Sequence, residues 1–275
     1  MITVSNFKLA CGFPCSWSHV PFPFFQSFIQ MERPTFTPII ACNGPIDGLR
    51  NNIVQQAIAI GASHLIMMDL DQTYPIETIT KLLAHKLPVV GCMVHRRYPP
   101  FDPLMLKGDI NTYQDITEWE EGELVEVDAT GTGCLMFNMQ LFHELNKKAV
   151  LEIEAFNELK PTPQQIADMP DNMQKYVTEL EKRYIPENVP GRWFKFRPNP
   201  NPDHPGVVGE DIGFCSDLRE AGVEIYVDTS IQCGHLSTME ITRDTHLLYK
   251  ALKNKQQQNK QRQNKQQQME VQNGN

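Results

Sequence analysis

The chain has 275 residues, of which 41% are hydrophobic, and a formal net charge of −8 at pH 7. This length suits one large α/β domain or at most two small ones, and the apolar fraction allows a sizeable buried core. General nucleic-acid binding usually needs a basic surface, which an acidic chain does not favour. The N-terminal residues lack a signal-peptide pattern and no run of about 18 apolar residues occurs, so we expect a soluble, cytoplasmic protein without a membrane span.

The cysteines are scattered along the chain without any CxxC pair, a pattern that does not favour a zinc ribbon. Several lie in apolar runs, such as Gly91-Cys92-Met93-Val94. We therefore expect reduced core residues without a catalytic role. The seven residues are Cys11, Cys15, Cys42, Cys92, Cys134, Cys215 and Cys233.

Short apolar runs alternate with helical patterns in the first third of the chain, which favours an α/β sandwich with a mainly parallel sheet. The predicted strands are residues 7–13, 37–42, 63–68 and 88–94, with Pro14 ending the first of them. The predicted helices are residues 23–31, 48–60 and 76–85. Asp47 is the expected N-cap of the second helix and Gly61 its stop, and Pro75 lies in the first turn of the third.

The rest of the chain continues the alternation after a polar stretch over residues 95–123. The predicted elements are strands over 125–129 and 134–138, a helix over 139–147, a helix from Gly209 to Ala221 stopped by Gly222, and a final strand over 223–227. The fold class that we expect is a Rossmann-like, mainly parallel sheet flanked by helices.

Two segments depart from this pattern. Residues 149–205 are a charged and proline-rich excursion with a helical stretch over 162–183, and long segments of this kind are often functional lids. Residues 251–275 are almost wholly Gln, Asn, Lys and Arg, so we expect a disordered tail. The predicted organisation is a single domain over residues 1–250, with residues 149–205 as an insertion.

Asp69-Leu70-Asp71 directly follows the most hydrophobic predicted strand. Ligands of open α/β sheets bind at the carboxyl ends of the strands. Two carboxylates there repel each other unless a cation or a donor offsets them, and a divalent ion bridging to a diphosphate would do so. The alternative is a helix cap with a solvated turn acid.

Other residues admit a structural and a functional interpretation. Glu210 and Asp211 begin a helix, where carboxylates serve as caps or one of them serves as a general base. His235 is either structural or a third ligand for Mn²⁺, and Arg50 is either a surface residue or a partner of a diphosphate. Gly131-Thr132-Gly133 is no Walker A loop and favours close backbone approach to a sugar or a neighbouring strand.

The order of four blocks carries a resemblance to a known family. They are Arg50-Asn51-Asn52 with Ala57, residues 65–71 ending in the DxD, residues 129–136, and residues 209–215 leading to Gly222, Tyr226-Val227-Asp228 and Gly234-His235. This set resembles the GT-A glycosyltransferases, specifically the inverting family-two-like proteins of bacteria and phages. The resemblance covers roughly residues 7–145 and 205–237, and the excursion over 149–205 has no counterpart in it.

The resemblance implies a nucleoside-diphosphate-sugar donor, with UDP-sugars as the default, and Mn²⁺ or Mg²⁺ as cofactor. By position, Asp71 would hold the metal together with His235, and Asp69 would contact the ribose or the water shell of the metal. Asp211 matches the catalytic base, with Glu210 beside it. The nucleotide-sugar-binding residues that we expect are Pro14, Cys15, Ser16, Arg50, Asp69, Leu70, Asp71, Gly131, Thr132, Gly133 and, as a sugar-stacking residue, Trp193.

Two other functions stay open at this point. A nucleotidyltransferase would share a related sheet and paired acids, but Gly12-Phe13-Pro14-Cys15-Ser16 is no basic, Gly-rich triphosphate loop. A non-catalytic carbohydrate- or nucleotide-binding protein would not need to keep all the acids and the histidine. The acceptor is open among a glycan, a lipid, a protein side chain and a modified base in phage DNA, as is the oligomeric state. A phage-encoded enzyme would act in the host cytoplasm.

Overall fold

The computed structural model describes residues 7–16, 19–159, 161–175, 177, 190–200, 206–237 and 240–255. Three predictions fall wholly or partly outside the described residues: the end of the helical stretch over 162–183, much of the proline-rich part of the insertion, and the tail beyond residue 255. Within the described ranges, no helix combines the length and the apolar character that crossing a membrane requires.

The strands are β1 (Leu9–Cys15), β2 (Phe36–Cys42), β3 (His64–Met68), β4 (Gln72–Thr73), β5 (Val89–Val94), β6 (Met105–Lys107), β7 (Gln114–Asp115), β8 (Leu124–Val127), β9 (Ala129–Thr130), β10 (Cys134–Asn138), β11 (Arg197–Pro198), β12 (Val207–Val208), β13 (Ile225–Leu236) and β14 (Glu240–Ile241). The helices are α1 (Phe22–Gln30), α2 (Ile46–Ala59), α3 (Thr78–His85), α4 (Gln140–Leu159), α5 (Pro163–Ala167) and α6 (Glu210–Glu220). Residues 171–175 and 243–255 are also helical.

The central sheet has the strand order β14-β13-β5-β10-β3-β1-β2, and β4 and β8 also pair with β13. β1 pairs in parallel with β2 and β3, and β13 pairs in parallel with β5. β10 runs antiparallel between β3 and β5, so β3 and β5 point in the same direction. The predicted α/β fold with a mainly parallel sheet flanked by helices is confirmed.

β3 shows why the sheet is buried on both faces. Its side chains alternate, so Leu65 and Met67 join the core that contains α2 and α6, while Ile66 and Met68 join the core that contains α1 and α3. A strand covered on both sides reads as a continuous apolar run, as this one does. The carboxylates that follow β3 therefore stand at the edge of a rigid layer.

Several predicted boundaries are wrong, each for a local reason. Pro14 does not end β1, which continues to Cys15; the pairing with β3 stops at Gly12, so one side of Pro14 has no ladder partner, and proline is tolerated there. Asp47 is not the N-cap of α2, because Pro45 holds that position and no side chain caps the helix. The predicted stop is correct, since Gly61 has a φ of 68°.

Other elements differ in length from the prediction. α3 begins at Thr78, so Pro75 precedes the helix and does not lie in its first turn as predicted; the backbone N–H and the hydroxyl of Thr78 both donate to the carbonyl of Pro75. α4 continues to Leu159, well into the predicted insertion, whose remaining described residues are mostly exposed. β13 extends to Leu236 and β14 follows it, so the predicted final strand over 223–227 is neither that short nor the last. The helix opened by Glu210 and stopped by Gly222 is confirmed.

Candidate functional site

A cleft of about 370 Å³ lies at the carboxyl edge of the sheet. Because β1, β3 and β5 run in the same direction, the segments that follow them meet at this edge. The cleft is lined by Pro14, Ser16, Ile46, Arg50, Asp69, Leu70, Asp71, Arg97 and Glu210. Seven of these nine residues belong to the site predicted from the sequence, so the fold brings most of that site together.

Arg50 is the centre of a buried ion-pair network behind the cleft. Its side chain is 4% exposed, and its Nε donates to Oε1 of Glu210 at 3.0 Å. Its Nη2 donates to both carboxylate oxygens of Asp69, at 3.1 and 3.3 Å, and its Nη1 to the carbonyl of Thr132 at 3.2 Å. Burial lowers the pKa of Arg50, but Asp69, Glu210 and Asp211 outweigh it and raise that pKa.

This network corrects one of the two interpretations of Arg50, because the residue is not on the surface. All three of its guanidinium nitrogens donate to protein oxygens, so Arg50 holds the carboxylates of Asp69 and Glu210 in position. A planar fork with several donors is suited to such a role. Contact of Arg50 with a diphosphate stays a prediction.

Asp71 and His235 face each other across a short gap. Oδ2 of Asp71 lies 3.6 Å from Nε2 of His235 and 2.9 Å from Nη1 of Arg97. Nδ1 of His235 lies 2.7 Å from the carbonyl oxygen of His95, which can only accept, so Nδ1 carries a proton. When the ring is neutral, Nε2 is an acceptor that faces the carboxylate, and a cation between the two atoms would offset their repulsion.

The neighbours of Asp71 favour its anionic form, Arg97 in any case and His235 when its ring is protonated. Burial raises the pKa of this carboxyl, but the hydrogen bond and charge of His235 and the charge of Arg97 lower it below its ordinary value. Asp71 is therefore an anion at neutral pH. An ionised carboxylate beside an imidazole nitrogen whose other nitrogen is held by a backbone carbonyl is a donor set typical of metal ligands.

Asp211 lies in the first turn of α6, beside Glu210. Burial and the charge of Glu210 raise its pKa to about 6, although Arg50 and the backbone N–H of Ile212 oppose that rise. Its Oδ1 accepts the N–H of Ile212 at 2.8 Å. A carboxylate with a pKa near that value is mostly ionised at neutral pH and still a useful proton acceptor.

The loop Gly131-Thr132-Gly133 passes directly over these acids. A Cβ at Gly133 would lie 2.8 Å from Oδ2 of Asp69 and would overlap the amide of Gln72, so any other residue would displace these side chains. A Cβ at Gly131 would lie 3.7 Å from Oδ2 of Asp211. Thr132 is fully buried, and its hydroxyl has no hydrogen-bond partner in the described part of the chain. The loop thus approaches the carboxylates closely, and its predicted approach to a sugar stays a prediction.

The remaining predicted residues are divided between the cleft and the core. Leu70 lines the cleft while packing into the core with α1, and Cys15 is half-buried at the end of β1, opposite Cys42 on β2. Trp193 does not line the cleft. Its ring packs in the core 5.2 Å from that of Phe142, and its backbone N–H donates to Oδ1 of Asn51. Trp193 is therefore not part of the proposed sugar site.

Arg97 is a site residue that the sequence prediction missed. Its side chain is 44% exposed, it lines the cleft, and it forms the ion pair with Asp71. The sequence did contain a signal for Arg97: the basic segment His95-Arg96-Arg97 directly follows β5, and the carboxyl ends of β5 and β3 lie at the same edge of the sheet. His95 was missed as well: it is buried, and its carbonyl fixes the ring of His235.

No protein-family model matches the chain, and no characterised protein matches it by sequence. Among solved structures, it is similar to A197 from STIV, with 12% identity and a TM-score of 0.45 over 84% of this chain and 86% of that one. It is similar to GalNAc-T7, solved with UDP, GalNAc and Mn²⁺, with 10% identity and a TM-score of 0.49 over 85% of this chain and 44% of that one. It is also similar to residues 1–349 of S. aureus TarS, with 13% identity and a TM-score of 0.34 over 50% and 49% of the two chains.

Proposed function

We propose that this chain is a GT-A glycosyltransferase that moves a sugar from a nucleoside-diphosphate sugar to an acceptor hydroxyl with the help of a divalent cation. One observation carries the proposal. Asp71 and His235, far apart in the chain, place two acceptor atoms 3.6 Å apart beside a cleft at the carboxyl edge of the sheet. Nucleotide ligands of open α/β sheets bind at this edge.

The residues present fit Mn²⁺ or Mg²⁺. With ligand distances of about 2.1 Å, one ion can reach both Oδ2 of Asp71 and Nε2 of His235. Two protein ligands leave further positions for water and for diphosphate oxygens, as is usual for such ions at phosphate sites. When bound, the cation would neutralise charge on the diphosphate leaving group.

The other residues of the cleft take roles that follow from their contacts. Arg97, the exposed cation at the cleft, would bind the diphosphate and share its charge. Asp69, held in place by Arg50, would contact the ribose or the water shell of the ion. Pro14 and Ser16 at the end of β1 would flank the nucleobase, which we expect to be uracil.

Asp211 is the proposed general base. Glu210 accepts the Nε–H of the buried Arg50, whereas Asp211 has no ion pair with it and a pKa of about 6. As the acceptor oxygen attacks the anomeric carbon, its proton would pass to Asp211. The bond from that carbon to the phosphate oxygen breaks with its electron pair on the diphosphate. Attack from the face opposite the leaving group inverts the anomeric centre.

The experiment is a screen of the full chain against UDP-, GDP-, CDP- and dTDP-sugars, with Mn²⁺ or a chelator, monitored by thermal shift and by nucleoside-diphosphate release. We expect one class of donor to stabilise the chain and to be hydrolysed slowly, only with the metal. Asp71→Asn should lose both effects. Asp115→Asn is the matched control, because Asp115 pairs with Arg96 at 2.7 Å on an exposed strand.

Two outcomes would contradict the proposal. Donor binding and turnover that are unchanged by the chelator and by Asp71→Asn would exclude a metal role for Asp71. Release of pyrophosphate from a nucleoside triphosphate and a sugar phosphate, without turnover of a nucleotide sugar, would instead identify a nucleotidyltransferase.

A further inference from the structure

Three cysteine side chains from neighbouring strands converge in the core. Cys92 belongs to β5, Cys134 to β10 and Cys233 to β13, and each is 3% exposed or less. Their Sγ atoms all lie within 4.8 Å of one another, and those of Cys92 and Cys134 are 2.9 Å apart. This is the one group of three or more potential metal ligands at such distances in the described ranges.

The pairing of the strands explains how the thiols meet. Leu135 of β10 pairs with Gly91 of β5 in an antiparallel register, which sets their neighbours Cys134 and Cys92 opposite each other. β13 joins the other side of β5, and its register shifts between Asp228 and Gln232. The irregularity re-aims the side chains that follow it, among them Cys233, towards the same side of the sheet as Cys92 and Cys134.

We propose that Cys92, Cys134 and Cys233 form a three-thiolate site for a soft, thiophilic cation of the Zn²⁺ or Cu(I) class. Three sulfurs bound to one such ion at about 2.3 Å lie about 3.8–4.0 Å apart. The 2.9 Å pair would have to open by about 1 Å, and the other two separations, which are at most 4.8 Å, are close to the required range. With Zn²⁺, three metal–sulfur bonds form, three thiol protons pass to water, and the complex carries one negative charge.

A second cleft lies beside the thiol site. It has a volume of about 250 Å³ and includes Cys233 in its lining, together with the carboxylate residues Glu240 and Asp244. The lining also contains Arg243, but its two carboxylates outnumber this arginine, and the net negative charge would attract a cation to this side of the thiol site. The thiol site and the proposed Asp71–His235 site differ in chemistry, since hard cations such as Mn²⁺ prefer oxygen and imidazole ligands.

The thiol site also borders the first cleft through the backbone. Cys134 directly follows Gly133, whose carbonyl accepts the N–H of Asp69 at 2.8 Å, and Cys233 lies two residues before His235. A metal that joins β5, β10 and β13 would therefore fix the strands that position the Gly133 carbonyl and the side chain of His235. The role of this metal is structural, and the proposal does not depend on whether the chain transfers a sugar.

The test is binding of Cd²⁺ to the full chain after treatment with a chelator, in a reductant that contains no thiol. Bonds from Cd²⁺ to thiolates give a near-ultraviolet charge-transfer absorption that bonds to carboxylates do not. We expect saturation at one Cd²⁺ per chain, unchanged in Asp71→Asn. Cys233→Ala should weaken binding at least about tenfold, because loss of a mere hydrogen-bond partner of a metal ligand already costs about that much.

Two variants serve as matched controls. Cys11→Ala removes a cysteine of the same core that is equally buried, and Cys42→Ser removes an exposed thiol. Both should bind Cd²⁺ as the wild type does. A folded wild-type chain without the absorption, or Cys233→Ala that binds with unchanged affinity, would overturn the proposal. If Cys233→Ala does not fold, the ¹¹³Cd NMR shift of the wild type decides: a three-thiolate shift supports the site, and an oxygen or nitrogen shift overturns it.

Discussion

Replacing Arg50 with Met removes the cation that three acidic side chains share. Met keeps much of the side-chain volume, so the loss is mainly one of charge and hydrogen bonds. The side chains of Arg50 and Glu210 are 4% and 9% exposed, whereas that of Asp69 is 25% exposed and partly screened. Breaking a buried ion pair costs about 3–5 kcal/mol, and we expect a value near the lower end because of Asp69.

The assay is urea unfolding of the full chain, followed by circular dichroism, for Arg50→Met and for Arg96→Met as control. Arg96 pairs with Asp115 at 2.7 Å, but both side chains are about a third exposed, so its loss should cost less than about 1 kcal/mol. The destabilisation of Arg50→Met should shrink in acid, where protonation relieves the repulsion among the carboxylates. Equal losses for the two variants would show that the buried network contributes no more stability than a surface ion pair.

Further outcomes follow from the geometry of the site. Transfer should fall as the pH drops through about 6, where Asp211 becomes protonated, and Asp211→Asn should abolish transfer while retaining donor binding. Because burial raises that pKa, the ionised carboxylate destabilises the folded chain at a pH above about 6. Asp211→Asn should therefore have a higher free energy of unfolding than the wild type at neutral pH, by up to about 3 kcal/mol. Gly133→Ala should lower stability and donor affinity together, since its methyl group overlaps Gln72 and crowds Asp69; calorimetry and thermal melts report both. Arg97→Gln should weaken binding of the nucleoside diphosphate more than that of the nucleoside.

The sheet and its edge could be predicted from the sequence because the relevant signals are local. β3 is an uninterrupted apolar run, and the charge change at Asp69 marks its end. Gly61 and Gly222, both at positive φ, mark the ends of two helices. Signals of this kind need no knowledge of what lies opposite in the fold.

β13 shows where local signals fail. The polar run Asp228-Thr229-Ser230 ends the apolar pattern, and so the prediction ended the strand at Val227. In the structure the buried Asp228 pairs with His85 at 2.8 Å, and the hydroxyl of the buried Thr229 donates to the carbonyl of Glu123, so distant partners satisfy the polar groups and the strand continues. These partners are distant in sequence and carry no pattern near residue 228.

The contacts within the site could not be predicted either, because they join residues that are distant in the sequence. Position on a helix does not reveal that Arg50 turns inward to Asp69 and Glu210, nor that Asn51 holds the backbone of Trp193 in the core. The chemistry of His235 made it a candidate metal ligand, but its pairing with Asp71 came from the resemblance. The meeting of Cys92 with Cys134 depends on strand register, which spacing along the chain does not encode.

The metal-dependent site is tested most directly by a comparison of the wild type with His235→Ala. Calorimetry measures how tightly each full chain binds the donor found in the screen, with and without Mn²⁺. The control is His85→Ala, because His85 pairs with Asp228 at 2.8 Å and does not line the cleft. We predict that Mn²⁺ strengthens donor binding at least about tenfold in the wild type and in His85→Ala, and has no effect in His235→Ala. Equal enhancement by Mn²⁺ in all three proteins would contradict a metal held between Asp71 and His235.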